Sequence, residues 1–334
     1  MMKKAAIIVS DFYLKNRMFD LNDPVSNRDN ISYSNYLLKT ELLKSDIDLS
    51  TQDINKVQDS NIVFFNDMPS KIPVKKKGQK FYLFAMESIA VHPINFDLKR
   101  YVNFDKVFTW KDDITDGNKV IKINYSFQFN PIIKLELGKE NKLVFVMAGN
   151  KYSKHEHELY SHRIEIINWF EKNHPEDFGL FGVGWDMFQP KNIFCKMINR
   201  TKMSKLFMKD HLCYRGIAIS KKSVYPKYKF NICYENVKDI PGYITDKIFD
   251  CFFAGCVPIY WGANNVTDHI PKNCFIDKRD FDSYEVLYEF IKNMDDTTYQ
   301  QYLKNAQEYL NSPMSYGFTA ECFVKTIISE IANV

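Results

Sequence analysis

The sequence predicts an α/β protein that contains two parallel sheets, and three observations carry this prediction. The chain has 334 residues, a length that favours two domains over one. Near the amino terminus, short apolar runs with strand character recur, and a carboxylate follows each of them. Farther along, residues 228–261 have the order strand, loop, helix, strand, which is the building unit of a parallel sheet.

The composition indicates a well-filled globular core. Hydrophobic residues make up 45% of the chain, and the 27 Phe and 20 Tyr argue against disorder. A net charge of +4 is too small to indicate a nucleic-acid partner. The seven cysteines have apolar neighbours and no zinc-finger spacing, so we expect reduced, buried thiols, no structural metal and a cytoplasmic protein.

We expect neither a leader peptide nor a membrane span. Lys3 and Lys4 precede only a short apolar run, residues 5–9, which predicts a first strand rather than a signal peptide. No apolar stretch of the sequence reaches membrane-spanning length. The prediction is a soluble cytoplasmic protein, and peripheral association with the inner face of the membrane stays open.

The first domain is predicted from three strands, over residues 5–9, 61–65 and 80–85. A helix around residues 35–43, with Ser32 or Ser34 as its cap, lies between the first two. The strands are followed by Asp11, Asp67 and Glu87, which places carboxylates at the ligand-facing edge of a parallel sheet. Any of the three could act as a base, although a solvated loop residue is the commoner role for each.

A domain boundary is predicted near residues 129–141. Residues 107–110 and 120–123 have the character of short strands, and a charged stretch with Pro131 and Gly138 follows them. A strong new strand then begins at Leu143. We therefore assign residues 1–140 to the first domain and residues 141–334 to the second.

The second domain contains an arginine on the apolar side of a helix. At helical spacing over residues 159–172, Arg163 falls between Ile167 and Phe170. A buried guanidinium without an anionic partner would cost roughly several kcal/mol. The partner is either a protein carboxylate or a diphosphate, which arginine binds with two parallel hydrogen bonds, and the pattern does not choose between them. Further strands are predicted at residues 178–181 and 216–220.

Residues 228–261 provide the candidate ligand site. A strand at residues 228–234 leads through a loop to a helix that begins after Thr245, and Gly255 fits the end of that helix. The first turn attracts phosphate through its free N–H groups, Lys247 adds a charge, and Asp246 could accept hydrogen bonds from a ribose. The alternative is purely local: Thr245 caps the helix, Asp246 complements the dipole and Lys247 is solvated.

Three further helices are predicted after this site. The first uses Tyr284, Leu287 and Ile291 and is capped by Asp280 or Asp282. The second surrounds residues 299–306. The last helix covers residues 320–331, and we expect it to pack back toward the first domain.

Several sequence stretches resemble a known enzyme family. Two facing α/β sheets, with carboxylates on one and an anion site on the other, match the GT-B architecture of nucleotide-sugar glycosyltransferases, in which a cleft separates two Rossmann-like domains. The stretches YKFNICYEN, YITDKIFDCFFAGCVPIYWGA and IPKNCFID resemble the signature block of the α1,3/4-fucosyltransferases, glycosyltransferase family 10. FAMES at residues 84–88 and LFGVGW at residues 180–185 extend the resemblance, whereas the first 75 residues share only the pattern.

The resemblance implies roles for individual residues. Glu87 matches the proposed catalytic base, so the first domain would bind the acceptor and the second GDP-fucose. Arg163 matches the diphosphate-binding arginine. The donor-binding Tyr-x-Thr-Glu-Lys motif matches this chain with Asp in place of the usual Glu, and four more residues match other donor-side positions. The motif positions are Tyr243, Asp246 and Lys247, and the other donor-side residues are Asn150, Lys229, Glu235 and Asn236.

The implied reaction is an inverting transfer of L-fucose from GDP-β-L-fucose to a sugar hydroxyl. The expected product is an α1,3-linked fucoside on O3 of a GlcNAc or glucose-type residue, within a surface polysaccharide or a lipid-linked glycan. A GT-B site needs no bound metal ion, so we expect manganese at most to stimulate. Asp46-Ile47-Asp48 spells D-x-D but precedes a polar linker, so a chance match is the better interpretation.

Two other functions remain open at this point. One is a GT-B transferase with another donor, such as GDP-mannose or a UDP-sugar. The other is a non-catalytic protein that binds carbohydrate or nucleotide, in which the change to Asp246 marks lost activity. For the first, nucleotides are ranked by thermal shift, and GDP is expected to protect a fucosyltransferase best. GDP release from the donor, with an acceptor mixture present, separates the second.

Overall fold

The computed structural model describes residues 2–129, 142–187 and 210–332. The chain divides into two units that each contain one sheet. The first unit comprises Met1–Phe129, Pro241–Ile244 and Pro313–Val334, and the second comprises Asn130–Ile240 and Thr245–Ser312. The predicted boundary between residues 140 and 141 lies outside the described residues.

The first unit is built on a six-stranded parallel sheet with the order β2-β1-β3-β4-β5-β6. The strands predicted from apolar runs are all present, and β4 has the predicted bounds. The prediction missed β2, because this edge strand is half polar. The strands are β1 (Lys3–Ile8), β2 (Ile47–Thr51), β3 (Ile62–Asn66), β4 (Lys80–Ala85), β5 (Lys106–Thr109) and β6 (Val120–Lys122).

Two helices cover one face of this sheet. Helix α1 spans Tyr33–Lys44 and starts after Ser32, although the Ser32 side chain makes no capping hydrogen bond. The last helix of the chain, α7 (Ala320–Ala332), belongs to the same unit. Its Val324 and Ile327 are buried in one cluster with Ile7 of β1 and Leu38 of α1. The core of the first unit is therefore made by both ends of the described chain.

The second unit contains a five-stranded parallel sheet with the order β11-β10-β9-β7-β8. The central β9 pairs on its two sides with β7 and β10. The strands are β7 (Lys142–Met147), β8 (Phe178–Phe181), β9 (Tyr228–Tyr234), β10 (Val257–Trp261) and β11 (Ile276–Asp277). The helices are α2 (Tyr160–Asn173), α3 (Asp246–Ala254), α4 (Val266–His269), α5 (Tyr284–Lys292) and α6 (Asp296–Leu310).

The predicted α/β class with two parallel sheets is confirmed, and two local predictions are wrong. Helix α5 is capped by Ser283, whose side chain accepts the Val286 N–H at 3.2 Å, rather than by Asp280 or Asp282. Residues 216–220 form no strand; Ile217 and Ile219 are 59% and 90% exposed. Their apolar alternation resembled a strand, but these side chains face solvent and pack against no sheet.

The cysteines and the hydropathy of the helices were also subjects of prediction. The six cysteines in this part of the chain are free thiols, and five of them are buried, as their apolar neighbours indicated. Among the described helices, none combines the length and the hydropathy that crossing a bilayer requires.

Candidate active site

The first turn of α3 forms the centre of the site in the second unit. Strand β9 ends at Tyr234, and a loop leads from it to the N-cap residue Thr245. Helix α3 then runs to Ala254, and Gly255 ends it in the left-handed conformation at φ 67°. A side chain at this φ would be strained, so glycine suits the position. The structure thus confirms the prediction that a helix begins after Thr245 and ends at Gly255.

The carboxylate of Glu235 organises this first turn. Glu235 is 0% exposed. One of its oxygens accepts the Thr245 backbone N–H at 2.8 Å, and the other accepts the Thr245 hydroxyl at 2.7 Å and Lys247 Nζ at 3.0 Å. A buried carboxylate is stable when it is paired, and the positive end of the helix dipole favours it further. Glu235 thus fixes the conformation of Thr245 and the direction of the Lys247 side chain.

Arg163 supports the same loop from helix α2. The residue is 3% exposed. Its Nη2 donates to the backbone carbonyls of Tyr234 and Glu235, each at 2.8 Å, and lies 3.5 Å from Asn236 Oδ1. The sequence left a carboxylate or a diphosphate as the partner of this guanidinium. In the structure, one guanidinium nitrogen instead donates to two backbone carbonyls. These hydrogen bonds connect α2 to the end of β9.

A second charged group adjoins the first turn of α3 and was missed by the sequence prediction. Lys221 Nζ donates to Asp246 Oδ2 at 2.7 Å and also contacts the carboxylate of Asp250. Lys221 lies 25 positions before Asp246 in a short helical turn, so no spacing rule connects them. Asp246, the residue that departs from the family motif, is therefore paired with a lysine of its own unit.

Asp246 and Asp250 both contact the Lys221 ammonium, but their pKa values shift in opposite directions. Burial disfavours the charge of Asp246, but Lys221 and Lys247 outweigh it and hold the pKa of Asp246 below its usual range. Burial and the neighbouring Asp246 charge raise the pKa of Asp250 to about 8, against the attraction of Lys221. The arrangement therefore favours the ionised form of Asp246 and the protonated form of Asp250.

The structure places two other predicted donor-side residues against different elements. Lys229 Nζ lies 3.2 Å from Asp296 Oδ1 at the start of α6 and stacks on the ring of Tyr299. Asn150 donates through Nδ2 to the Gly184 carbonyl at 3.0 Å, in the loop after β8. Their contacts therefore lie outside the first turn of α3. Glu235 and Lys247 come together at that turn, and Asn236 contacts Arg163 of α2.

In the first unit, Glu87 follows the carboxyl end of β4 and is exposed. The peptide before it is held by two aromatic side chains. Trp110 Nε1 and the Tyr125 hydroxyl donate to the Met86 carbonyl at 2.7 and 2.5 Å. The backbone of the Glu87 turn is thus anchored, while its side chain reaches solvent.

Tyr243 packs on the same two aromatic residues. It belongs to the Pro241–Ile244 segment of the first unit and is 1% exposed. Its ring centroid lies 4.6 Å from that of Trp110 and 6.2 Å from that of Tyr125. Gly242 has φ +80°, and a Cβ there would lie 2.3 Å from the Trp110 carbonyl oxygen. Tyr243, a predicted donor-binding residue, and the turn of Glu87 therefore contact the same two aromatic residues, Trp110 and Tyr125.

Candidate metal ligands do not converge in the described part of the chain. No group of three or more His, Cys, Asp or Glu side chains there could hold an ion. His155 and His157 lie in a loop, where His155 Nδ1 accepts the His157 N–H at 3.1 Å. Within the D-x-D sequence, the Asp48 carboxylate instead accepts the Asn55 side chain at 2.9 Å.

Comparison with solved structures defines the class of fold. The crystal structure of an α1,3-fucosyltransferase with GDP superposes with a TM-score of 0.54 at 14% identity, covering 99% of this chain and 91% of that one. At this identity the likeness shows the fold alone. The protein thus has the GT-B fold of glycosyltransferases, as the sequence predicted.

The sequence itself also resembles a known family. Residues 209–324 match the family model described as glycosyltransferase family 10 (fucosyltransferase), C-terminal part. This match confirms the predicted resemblance to the family over that segment. The segment contains Lys221, Glu235 and the whole of α3, but neither Glu87 nor Arg163.

Curated relatives match over short stretches. The α-(1,3)-fucosyltransferase FucT of Helicobacter pylori is 36% identical over 73 residues, which are 22% of this chain and 15% of that enzyme. The α-(1,4)-fucosyltransferase of Arabidopsis thaliana is 38% identical over 77 residues, which are 22% of this chain and 19% of that enzyme. The matched stretch therefore spans less than a quarter of either relative.

Proposed function

We propose that the protein transfers L-fucose from GDP-β-L-fucose to a sugar hydroxyl with inversion at the anomeric carbon. The product would be an α1,3-linked fucoside on a GlcNAc or glucose-type residue. The observation that carries the proposal is the family 10 match over residues 209–324, because it contains the Glu235–Lys247 pair at the first turn of α3. This combination of a helix N-terminus and a lysine suits a diphosphate.

On the donor side, Lys247 would stabilise the negative charge that develops on the departing GDP. Its ammonium has three donors, of which Glu235 and Thr245 take two among the described contacts. The remaining donor and the N–H groups of the first turn can meet phosphate oxygens. Arg163 contributes by holding the carbonyls that precede the turn, and Asp246 is assigned to the ribose.

On the acceptor side, Glu87 is assigned as the general base. As the acceptor oxygen bonds to the anomeric carbon, its proton passes to the Glu87 carboxylate, and the bond from that carbon to the GDP oxygen breaks. GDP leaves as a stable anion, so the step needs no general acid. A positioned base contributes about 10² to 10⁴-fold to the rate. No metal is required in this scheme, and manganese is assigned at most a stimulatory role.

The acceptor is proposed to be a glycan of a surface polysaccharide or of a lipid-linked oligosaccharide. In this proposal the enzyme works in the cytoplasm, with peripheral access to the inner face of the membrane. The Arabidopsis relative is named as an α-(1,4) enzyme. Linkage is consequently the property of the product that most needs direct determination.

The test is an acceptor array incubated with the purified protein and GDP-fucose, with products read by mass and by linkage. The expected result is a gain of one deoxyhexose on an array member, with α1,3 linkage. Parallel reactions use GDP-mannose and UDP-glucose, and thermal shifts rank GDP against UDP. Transfer from another donor would establish a different transferase. Sugar or nucleotide binding without GDP release would establish a non-catalytic binding protein.

A further inference from the structure

The turn that carries Glu87 has each of its backbone polar groups bonded to a side chain. The N–H groups of Met86 and Glu87 donate to one oxygen of Asp67, Oδ1, at 3.0 and 2.9 Å. The Met86 carbonyl accepts from two aromatic side chains, as described above. The Glu87 carbonyl accepts from Asn95 Nδ2 at 3.2 Å. Both peptide planes that flank the Glu87 Cα are therefore held.

Asp67 is itself held in place by the sheet and by Asn95. It directly follows β3, and its N–H donates to the Phe84 carbonyl of the neighbouring β4 at 2.9 Å. Asn95 is 0% exposed, donates to Asp67 Oδ1 at 2.7 Å, and accepts the Met68 N–H at 2.7 Å. Oδ1 of Asp67 thus receives three hydrogen bonds, and two of them come from the Glu87 turn.

This arrangement commits one oxygen of Asp67 to the backbone of the Glu87 turn. A carboxylate oxygen that accepts three donors is committed to those donors. Charge-assisted hydrogen bonds to backbone N–H groups are short and strong, and they define the direction in which the Glu87 side chain leaves the backbone.

We propose that Asp67 is a positioning residue for Glu87: its Oδ1 fixes the peptide groups of Met86 and Glu87, so that the exposed carboxylate starts from one backbone geometry. The proposal rests on the proposed function of Glu87 as the general base. Displacement of a reacting group by about 1 Å can cost about 10²-fold in rate. Loss of Asp67 Oδ1 should therefore slow the chemical step and leave the binding of the donor unchanged.

The principal test is Asp67→Gly. Asp67 has φ 68°, a conformation that glycine adopts without strain, so this variant deletes the carboxylate at little backbone cost. We expect its single-turnover rate of fucose transfer to fall about 10 to 100-fold. The dissociation constant for GDP should stay at the wild-type value. Asp67→Asn keeps an oxygen acceptor at Oδ1 but removes the negative charge, and it should recover most of the rate. If the charge alone mattered, Asp67→Asn would be as slow as Asp67→Gly.

Asp46→Gly is the matched control. Asp46 is exposed, has φ 56° and immediately precedes β2, at the opposite end of the sheet strands. This substitution makes the same chemical change on the same backbone conformation and should leave the transfer rate at the wild-type value. If Asp67→Gly melts well below Asp46→Gly, the rates of both variants are measured at a temperature at which both remain folded, so that stability does not enter the comparison.

The double variant D67G/E87Q decides whether Asp67 acts through Glu87. If it does, adding Asp67→Gly to Glu87→Gln slows transfer no further. If Asp67→Gly slows transfer by the same factor in the wild type and in Glu87→Gln, the positioning role is overturned. A wild-type rate for Asp67→Gly, with Glu87→Gln slow, would overturn it as well. A wild-type rate for Glu87→Gln itself would instead overturn the proposed base, which keeps the two failures distinct.

Discussion

The ammonium of Lys247 lies 3.0 Å from the carboxylate of Glu235, and Glu235 is completely buried. The pair joins the end of β9 to the first turn of α3, because Thr245 bonds to the same carboxylate. Glu235 therefore has a structural task that precedes any contact with a ligand. It holds a cation at the helix N-terminus, where an anion would bind.

Removal of Glu235 should be costly to stability. Glu235→Ala removes the charged partner of Lys247 and the acceptor of the Thr245 N–H, and breaking a buried ion pair typically costs about 3–5 kcal/mol. We expect Glu235→Gln to lose less, because its amide oxygen still accepts one of these bonds. Urea unfolding of the two variants measures the difference, and a loss below about 1 kcal/mol for Glu235→Ala would contradict the structural role.

Lys247→Ala should weaken the binding of GDP about 10 to 100-fold, because a hydrogen bond to a charged group contributes about 1.5–3 kcal/mol. Guanosine lacks the diphosphate, so its affinity should change little in the same variant. Calorimetric titration with both ligands makes the comparison. Lys304→Ala is the control, since Lys304 is exposed and pairs only loosely with Glu308 at 3.8 Å. Equal losses for GDP and guanosine would argue against a phosphate contact.

Glu87→Gln should reduce the rate of fucose transfer by about 10² to 10⁴-fold, since the amide cannot accept the acceptor proton. The affinity for GDP should remain that of the wild type. Single-turnover transfer with GDP-fucose gives the rate, and thermal melting verifies the fold. Glu321→Gln on α7, another exposed glutamate of the first unit, should keep the wild-type rate. Full activity of Glu87→Gln would direct attention to Asp11 and Asp67.

The proton held by Asp250 predicts a pH dependence of stability. Its pKa is about 8 in the folded state, whereas an unfolded aspartate has about 3.9. Between these values the folded protein retains a proton that the unfolded chain loses, so this contribution is complete below about pH 4 and disappears as the pH rises through 8. Asn at this position does not ionise. Relative to wild type, Asp250→Asn should therefore gain stability as the pH rises from 4 to 8.

Urea unfolding of wild type and Asp250→Asn across this pH range measures the effect. The groups that set it are Lys221, Asp246 and the Cys251 thiol, which surround Asp250. Stability curves that run parallel from pH 4 to 8 would show that Asp250 is ionised throughout in the folded protein.

Gly242→Ala should disturb the segment that carries Tyr243. The alanine would pay about 1–2 kcal/mol for its positive φ, and its Cβ would also collide with the Trp110 carbonyl oxygen at 2.3 Å. Gly117→Ala is the matched control, since Gly117 has φ +70° and no atom within 4 Å of a Cβ. We expect a larger fall in melting temperature for Gly242→Ala than for Gly117→Ala. Equal shifts would mean that the close approach to Trp110 has no energetic weight.

The sequence predicted those features whose signals are local. The apolar run of β4, the Thr245 cap and the Gly255 end of α3 each depend on a few neighbouring residues, and each is present. The strand β2 escaped prediction because its residues IDLST alternate weakly and lie at the sheet edge. Edge strands with polar side chains lack the apolar signal that identifies buried ones.

The partners within the site could not be predicted, because they join residues distant in sequence. Lys221 meets Asp246 and Asp250 only after β9 and α3 have packed together. Similarly, Asp67 and Glu87 are 20 residues apart along the chain, and Asp67 reaches the Glu87 turn because β3 and β4 are neighbours in the sheet. The family resemblance selected Glu87 among three candidate acids, but it offered no task for Asp67. The role proposed for Asp67 rests on its hydrogen bonds to the Glu87 turn, which only the folded structure shows.

The return of helix α7 to the first unit has a consequence for biosynthesis. Residues of β1 and α1 leave the ribosome early, yet Val324 and Ile327, which complete their buried cluster, are synthesised only after the whole second unit. Domains generally fold as they emerge during synthesis. Here the nascent amino-terminal sheet has the part of its apolar face that α7 covers exposed until translation has passed residue 327, so the second unit can reach its final packing first.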